Sequence, residues 1–259
     1  MKNLFKKLLY SLLGQTLYLK VLNTSFFFLY RIGALKNNPT YKFHYFTKKL
    51  IRKGDVIIDL GANLGYFTKL FATWTGKEGK VYAIEPIKPY NEILRWRTNN
   101  NSNVVYMPYA LGTEEKKVQL VVPNKYGYLR TGLPRIYDNK IDQQLSDYEF
   151  SFEAEMKKGS VLLGDIPCID FIKCDIEGYE EFVFPEIKNI LMKHKPIIQV
   201  ETWGEHEPVL DNFLYSLGYK KYELEKGKLI PTEKLLTHEH GDVIFVHPQN
   251  NSALLAVSN

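Results

Sequence analysis

Short apolar runs rich in β-branched residues recur along the chain at wide intervals and are typical of buried strands. Six such runs are predicted as strands, at residues 56–60, 81–84, 104–107, 169–174, 197–200 and 243–246. Between several of them the apolar positions follow a helical period, at residues 66–74, 89–99 and 209–217. Strands that alternate with helices predict an α/β fold with a largely parallel sheet covered on both faces.

Two regions depart from this alternation. Near the C-terminus, residues 222–230 have the pattern of a hairpin, so the last strand is expected to run antiparallel to its neighbours. Earlier, residues 118–122 have strand character, but residues 123–165 are polar, aromatic and irregular. An irregular segment of this length inside a compact domain is typical of a lid or a binding loop.

The first 30 residues are apolar and helical in pattern. In residues 4–13 the apolar positions follow helical spacing, and lysines occupy the other face. Lys20 divides the segment into charge-free runs, 8–19 and 21–30, that are shorter than the ~20 residues needed to span a bilayer. No small-residue cleavage site follows them. Two interpretations stay open: helices that pack on the main domain or on a second copy of the chain, or a basic amphipathic helix lying on a membrane surface.

These patterns predict that the chain is divided into three structural parts. Residues 1–39 are expected to form a helical extension, residues 40–248 the main domain with its irregular insert, and residues 249–259 a tail. The main domain is expected to begin with one helix over residues 40–52, with Thr40 as its N-cap. A chain of 259 residues fits one such domain better than two.

Composition narrows the class of partner and the location. The formal net charge is +5, and no dense run of Lys and Arg demands a nucleic acid. The two cysteines, Cys168 and Cys174, exclude a disulfide framework and are typical of a reduced, cytoplasmic protein. We therefore expect a cytoplasmic location, with the inner membrane surface as the alternative if residues 1–30 bind lipid.

The chemistry is expected at the turn that follows the first predicted strand. The strand ends with Asp59, glycines follow at Gly61 and Gly65, and an amphipathic segment comes next. Gly61 can take a backbone conformation closed to other residues and lets a ligand approach the main chain. The next helix begins with free N–H groups facing the same place, as in the nucleotide sites of doubly wound proteins.

Three side chains around this turn favour S-adenosylmethionine over a nicotinamide dinucleotide. A nicotinamide site expects G-x-G-x-x-G/A, whereas Asn63 occupies the middle position here. Glu85 closes the next strand, where a carboxylate can accept both hydroxyls of a ribose. Asp59 is placed to meet an amino-acid ammonium, directly or through water, and a dinucleotide has no such group. The turn therefore predicts a methyl-donor cofactor.

Four blocks of sequence resemble the FkbM family, a branch of the class I S-adenosylmethionine-dependent methyltransferases. They are residues 59–68, the pair Glu85-Pro86, residues 110–112 and residues 169–178, in the family's order. The resemblance implies a Rossmann-like fold with a seven-stranded, mainly parallel sheet whose last strand is antiparallel. It also implies an O-methyltransferase acting on a hydroxyl of a sugar, a glycan or a small natural product.

The resemblance further implies which residues bind S-adenosylmethionine: Asp59, Gly61, Asn63, Gly65, Tyr66, Thr68, Glu85, Pro86 and Ala110. Tyr109 departs from the family, whose members often have a small or amide residue before the Ala-Leu-Gly block. Residues 159–163 also depart, because the usual Leu-Asp pair is missing. Details of acceptor binding are therefore not transferred from the family.

Asp175 and Glu177 are the predicted catalytic residues. They follow the predicted strand 169–174, and residues two apart on an extended end point to the same side, so both carboxylates are expected in one pocket. Methyl transfer to a hydroxyl needs an aligned acceptor and a group that accepts its proton. One carboxylate is expected to take that proton, or both bind a divalent ion. The structural alternative is that Glu177 caps the next helix and Asp175 orders the loop.

Other polar residues carry weaker predictions. Glu201 ends a strand and either faces the pocket or bonds backbone amides. His206 is expected at the pocket rim, solvated, and Lys173 is expected to point outward along its strand. His238 and His240 are predicted to lie in a surface loop, because no third ligand has suitable spacing, and no metal site is assigned.

Three competing functions are disfavoured. A nucleic-acid methyltransferase would carry an Asn/Asp-Pro-Pro-aromatic string after the fourth strand or a lysine at the end of the next one, whereas Asp175-Ile-Glu-Gly and Glu201 stand there. A non-catalytic cofactor-binding module would not need the two acids. A nicotinamide-dependent oxidoreductase conflicts with Asn63. The expected partners are S-adenosylmethionine and a small-molecule or glycan acceptor, and the oligomeric state stays open.

Overall fold

We describe the protein from a computed structural model, which covers residues 2–123, 126–140, 142–202, 206–232 and 241–250. The helices are α1 (Lys2–Arg31), α2 (Lys42–Phe46), α3 (Tyr66–Thr75), α4 (Lys88–Thr98), α5 (Gly159–Leu163), α6 (Glu180–Glu186), α7 (Lys188–His194) and α8 (His206–Ser216). Short 3₁₀ turns lie at Pro39–Tyr41, Thr47–Lys49, Leu145–Asp147 and Pro248–Asn250. The strands are β1 (Val56–Leu60), β2 (Lys80–Ile84), β3 (Val104–Met107), β4 (Ala110–Gly112), β5 (Lys116–Val121), β6 (Arg135–Ile136), β7 (Ser151–Lys158), β8 (Phe171–Cys174), β9 (Ile197–Thr202), β10 (Lys220–Glu225), β11 (Lys228–Pro231) and β12 (Gly241–Val246).

The predicted α/β architecture is confirmed. Within the described ranges, eight strands form one sheet in the order β11-β10-β12-β9-β8-β1-β2-β3. Strands β9, β8, β1, β2 and β3 are parallel, while β12 runs antiparallel to both of its neighbours, as predicted. The expected count of seven strands is one too low, because the hairpin predicted at residues 222–230 adds β11 to the edge of the sheet.

Strands β1 and β8 lie in the middle of the sheet and are buried on both faces, which explains their nearly continuous apolar sequences. Consecutive side chains point to opposite faces of the sheet. Ile58 packs with Ile172 in the core on one face, and Ile57 packs with Phe171 on the other. Each fully buried side chain of this size contributes about 1.5–3 kcal/mol. The central strands, and the residues at their ends, are therefore held firmly.

The insert is more regular than predicted. Strands β4, β7, β5 and β6 form a second sheet, in which β7 lies between β4, its parallel neighbour, and β5, its antiparallel neighbour. The prediction that residues 123–165 are irregular is therefore wrong for β7. That strand is inconspicuous in the sequence because its buried positions are only Ala154 and Met156, which alternate with charged residues.

Residues 40–52 do not form the single helix that we predicted, but α2 flanked by two 3₁₀ turns. Asn38, not Thr40, caps the first turn, because its side chain accepts a hydrogen bond from Thr40 N at 3.1 Å. The buried Thr47 hydroxyl donates to Gln199 Oε1 of β9 at 2.7 Å. In this aromatic and β-branched segment, contacts with the sheet thus override a weak helix propensity.

One face of α1 packs on the main domain, which confirms the packing interpretation of the N-terminal segment for that face. The helix is kinked at Gly14, where φ is 68°. Tyr18 and Leu19 are buried in a cluster that includes residues of the second sheet. Asn23 Nδ2 donates to the carbonyl oxygen of Leu64 at 2.8 Å and so ties α1 to the glycine turn. Among the described residues, no helix combines the length and apolar character required to cross a membrane.

Candidate active site

The carboxyl ends of β1, β2 and β8 open into a cleft of about 680 Å³, counting the space at its mouth. The main-sheet side of the lining includes Gly61, Asn63, Glu85, Asp175 and Glu177. The insert side includes Leu120, Gly132, Pro134, Arg135 and Ile136. A cleft at the carboxyl ends of the strands of a parallel α/β sheet is the usual place for a small-molecule site. The structure therefore brings the predicted turn and three predicted carboxylates to one cleft.

The turn after β1 has positive φ at three residues: Gly61 (74°), Asn63 (52°) and Gly65 (82°). A Cβ atom on Gly61 would lie 1.8 Å from the carbonyl oxygen of Asp175, so the chain after β8 excludes a side chain here. The sequence predicts that Gly61 is needed for the approach of a ligand. It does not reveal that the chain at Asp175, far along the sequence, also requires a glycine here. Asn63 tolerates its left-handed conformation, because its Oδ1 accepts a hydrogen bond from Leu64 N at 2.8 Å.

Glu85 follows β2 and lines the cleft, although only 4% of its surface is exposed. Its Oε2 accepts a hydrogen bond from Asn63 N and its Oε1 accepts one from Ile87 N, both at 2.8 Å. Burial raises the pKa of Glu85 to about 7, and the two amide donors oppose that rise. Each carboxylate oxygen can accept a further hydrogen bond, so the group still fits a pair of ribose hydroxyls.

Asp59 and Thr68 form a fully buried pair behind the turn. Neither residue is part of the cleft lining within the described ranges. Thr68 Oγ1 donates to Asp59 Oδ2 at 2.6 Å, which ties the first turn of α3 to β1. The other carboxylate oxygen, Oδ1, is buried without a hydrogen-bond partner among the described residues, and burial raises the pKa of Asp59. A water molecule or an ammonium group would satisfy that oxygen. Contact between Asp59 and the cofactor stays a prediction.

Lys173 points inward, so the prediction that it extends outward from its strand is wrong. Its Nζ lies 3.0 Å from Asp175 Oδ2 and 5.2 Å from the ring centroid of Phe67. Burial opposes the charge on the ammonium, yet the carboxylates of Asp175 and Asp59 raise the pKa of Lys173 above its usual value. The side chain is buried because it neutralises acids that are themselves withdrawn from water.

Glu177 differs electrostatically from Asp175, although the two share the cleft. Its backbone is left-handed, with a φ of 56°, so the chain turns after β8 at the position where Glu177 lines the cleft. Burial, followed by the charges of Asp175 and Glu180, raises the pKa of Glu177 to about 8. A carboxyl group that exchanges its proton near neutral pH is suited to general acid–base catalysis.

Two further acids surround this pair. The capping role considered for Glu177 is not observed, because the N-cap of α6 is Tyr179 and, among the described residues, no side chain caps that helix. Glu180 instead orders the loop after β8, since its Oε1 accepts a hydrogen bond from Ile176 N at 2.9 Å. Glu201 of β9 pairs with Asp242 of β12 in the main sheet. It is not among the described residues that line the cleft. Burial, with the charges of Asp175 and Asp242, raises the pKa of Glu201 to about 9.

The remaining predicted cofactor residues fall into two groups. Pro86 and Ala110 line the cleft. Gly65 is the N-cap of α3, and the ring of Tyr66 packs against Phe26 of α1 with a centroid distance of 4.5 Å. Cofactor contacts by Gly65 and Tyr66 stay predictions.

No group of three or more His, Cys, Asp or Glu residues that could hold a metal ion occurs in the part of the chain that the structure describes. His238 and His240, predicted to lie in a surface loop, are outside the described residues. The side chain of His206 is outside them as well.

The insert and its surroundings contribute residues that the sequence patterns did not single out as a group. The tyrosines Tyr90, Tyr109 and Tyr179 line the cleft together with Arg135. Arg135 Nη1 donates to Asp142 Oδ2 at 2.9 Å, and this guanidinium holds the pKa of Asp142 below its usual range. The alternation along β7 was the signal that could have located the second sheet, and with it this part of the lining.

The fold and the cleft together define the class of protein. A glycine turn after β1, a carboxylate after β2 and two carboxylates after β8 surround one cleft of a parallel sheet whose last strand is reversed. This is the arrangement of the class I S-adenosylmethionine-dependent methyltransferases. Residues 59–221 match the family model of the methyltransferase FkbM domain. The chain belongs to the FkbM methyltransferase family.

Several solved structures are similar to the chain at low sequence identity. The methyltransferase FkbM from Methylobacillus flagellatus KT is 18% identical with a TM-score of 0.50, over 78% of this chain and 46% of that chain. A SAM-dependent O-methyltransferase from Thermotoga maritima is 12% identical with a TM-score of 0.43, over 81% and 65%. A putative methyltransferase from Streptococcus mutans in complex with SAH is 12% identical with a TM-score of 0.46, over 81% and 98%. No curated protein matches the sequence.

Proposed function

We propose that the protein transfers the methyl group of S-adenosylmethionine to a hydroxyl oxygen of a sugar, a glycan or a small natural product. The observation that carries this proposal is the Glu177 carboxyl in the cleft, whose pKa burial and then the charge of Asp175 raise to about 8. A hydroxyl loses its proton as its oxygen is methylated, and a base with a pKa near the working pH is suited to accept that proton.

The cofactor is assigned to the main-sheet side of the cleft. When bound, it supplies a methyl group already activated as a sulfonium. Glu85 accepts hydrogen bonds from the ribose hydroxyls, in addition to the two backbone amides that orient its carboxylate. Gly61 and Asn63 present the main chain of the turn to the cofactor, and Pro86 and Ala110 flank it. These residues bind and orient the cofactor but take no part in the proton transfer.

The two acids after β8 take different roles in this proposal. Glu177 is the general base. Asp175 is a positioning residue, because it forms an ion pair with Lys173 at 3.0 Å and a proton on its carboxylate would weaken that pair. The charge of Asp175 also contributes to the raised pKa of Glu177. Loss of Asp175 would therefore change the strength of the base as well as the shape of the loop.

The acceptor is assigned to the insert side of the cleft. Tyr109 and Tyr179 offer apolar ring faces with polar tips, and Arg135 offers hydrogen-bond donors. A compact molecule that has both carbon faces and hydroxyl groups is complementary to such a lining. This lining supports a hydroxylated small molecule or a sugar unit as the acceptor, and not a polyanionic nucleic acid.

The test is the Glu177→Gln variant, assayed by mass spectrometry for methyl transfer to a panel of sugars, glycans and hydroxylated natural products. We expect kcat to fall by about 10²–10⁴-fold, because the amide cannot accept the proton. Binding of S-adenosylmethionine, measured by calorimetry, should change little. Glu155→Gln, an exposed acid on β7, is the matched control and should keep wild-type activity.

Two results would overturn the proposal. An unchanged kcat in Glu177→Gln would remove the general base. Methylation of RNA or of nitrogen acceptors, with no activity on any hydroxylated compound, would replace O-methylation with a different acceptor chemistry.

A further inference from the structure

The outer face of α1 is apolar although it faces solvent. In the described part of the chain fourteen large apolar side chains are exposed, and eight of them lie on α1 or in the turn after it. Leu4 and Leu12 are 73% and 74% exposed, and Leu8 lies between them. Because these leucines are four residues apart, they form one stripe along the helix, with Phe5 beside it. Such a concentration marks a site of contact rather than scattered surface residues.

The packing of the other face prevents α1 from turning this stripe inward. Before the kink at Gly14, the ring of Tyr10 packs edge-on against Phe150 at a centroid distance of 6.1 Å, and the Tyr128 hydroxyl donates to Asn3 Oδ1 at 3.2 Å. After the kink, Asn23 Nδ2 donates to the Leu64 carbonyl of the glycine turn. Arg97 of α4 donates to the Thr24 hydroxyl at 3.1 Å. The helix is therefore held in place, and its outer apolar face needs a partner other than the rest of the domain.

The charge distribution identifies the chemistry of that partner. Residues 1–54 contain eleven of the 34 Lys and Arg residues and none of the 29 Asp and Glu residues. This segment has a formal charge of +11, and the remainder of the chain has −6. Lys6 and Lys7 are exposed beside the apolar stripe. The segment is therefore attracted to a negatively charged surface and repelled by another copy of itself.

We propose that α1 docks the enzyme on an anionic lipid membrane, lying along the surface with Leu4, Phe5, Leu8 and Leu12 inserted among the lipids. An apolar stripe bordered by lysines, on a helix unable to span a bilayer, is the structure of an interfacial anchor. A symmetric dimer through the same face would bring two segments of +11 together, which disfavours a second copy as the occupant. This inference does not depend on which acceptor the enzyme methylates.

The first experiment is cosedimentation of the full chain with vesicles of phosphatidylcholine alone or mixed with phosphatidylglycerol. We expect pelleting with the anionic vesicles and little with the neutral ones. Raising NaCl from about 0.1 M to about 1 M should release most of the protein, because the Debye length falls from ~10 Å to ~3 Å. Equal binding to both vesicles at both salt concentrations would overturn the proposal.

The second experiment compares two triple variants on the anionic vesicles. Leu4→Ser with Leu8→Ser and Leu12→Ser should bind at least about tenfold more weakly than the wild type. The matched control, Val161→Ser with Met192→Ser and Val209→Ser, removes three similarly exposed apolar side chains elsewhere and should bind like the wild type. Circular dichroism and thermal unfolding verify that both variants are folded.

Two outcomes of the second experiment would contradict a lipid partner. Wild-type binding by the leucine variant would exclude insertion of the stripe. Light scattering that found a dimeric wild type and a monomeric leucine variant would assign the face to a second copy of the chain.

Discussion

The two sides of the cleft lining are built in different ways. The main-sheet side consists of residues directly after buried strands, such as Glu85 after β2 and Asp175 after β8. The insert side comes from β5, β6 and the segment before β6, outside the main sheet. A rigid polar surface suits a cofactor that is the same in every turnover, whereas a separate surface can be adapted to an acceptor. Cofactor and acceptor recognition are therefore expected to respond independently to mutation.

The largest expected effect lies on the main-sheet side, at Gly61. Its φ is 74°, and an alanine Cβ would lie 1.8 Å from the Asp175 carbonyl oxygen. We expect Gly61→Ala to lower the free energy of unfolding by more than about 4 kcal/mol, because a backbone clash adds to left-handed strain. Urea denaturation followed by circular dichroism measures this change.

Gly54→Ala is the matched control for that variant. Gly54 has a φ of 88° but no atom within 4 Å of the position of a Cβ. Only the conformational strain remains there, about 1–2 kcal/mol. Equal destabilisation at the two glycines would show that the contact with Asp175 is unimportant.

The next effect lies on the insert side, at Met156 of β7. Its side chain is only 1% exposed and packs in the core below the second sheet. We expect Met156→Ala to cost about 2–5 kcal/mol of stability through the cavity that it leaves. The KM for the acceptor should rise while the Kd for S-adenosylmethionine is nearly unchanged, as steady-state kinetics and calorimetry would reveal. Met192→Ala, at a 53% exposed position, is the control. If the acceptor KM and the Kd for S-adenosylmethionine rose together, the two sides of the cleft would not act independently.

A smaller effect is expected at Glu85, where the change should weaken cofactor binding and not acceptor binding. Glu85→Ala should weaken S-adenosylmethionine binding by about 1.5–3 kcal/mol, the range for hydrogen bonds to a charged group. The change also releases the amides of Asn63 and Ile87 that Glu85 now orients. Calorimetry measures the cofactor Kd, and Glu92→Ala, an exposed acid on α4, is the control. A normal cofactor Kd with a raised acceptor KM would reverse our assignment of the two sides.

The smallest expected effect is a shift of the pH profile. The pKa of Glu177 is raised from about 4.5 to about 8 by burial and then by the charge of Asp175. A general base acts when ionised, so kcat/KM should rise about tenfold per pH unit up to about pH 8 and then level off. Asp175→Asn should leave cofactor binding nearly intact, lower turnover and move the profile to lower pH. An unmoved profile would exclude Glu177 as the group that titrates.

The same pKa shift affects stability with the opposite sign. Because the folded-state pKa of Glu177 is raised, its protonated form favours the fold. The contribution is complete below about pH 4.5 and is lost as the pH rises through about 8. The wild type should therefore lose stability over this window relative to Glu177→Gln, in thermal unfolding measured across the pH range.

Much of the main-sheet side could be predicted from the sequence, because its signals are local. An apolar strand that is followed directly by a glycine or an acid places that residue at the edge of the sheet, as Glu85 after β2 and Asp175 after β8 illustrate. The burial of Asp59 and the inward direction of Lys173 could not be predicted, since both depend on segments far apart in the chain. The insert side was missed for a related reason: β7 buries only Ala154 and Met156, which is a weak strand signal.

The sequence by itself determined six strands of the main sheet, the turn after β1 and the acids at the strand ends, because each is a short-range pattern of side chains. Only the tertiary structure decided how the acids differ. Asp175 faces the buried Lys173, whereas burial and neighbouring carboxylates raise the pKa of Glu177. The tertiary structure also decided which face of α1 is covered and which is left to a partner. Burial and charge proximity are properties of the assembled fold, so no local pattern can specify them.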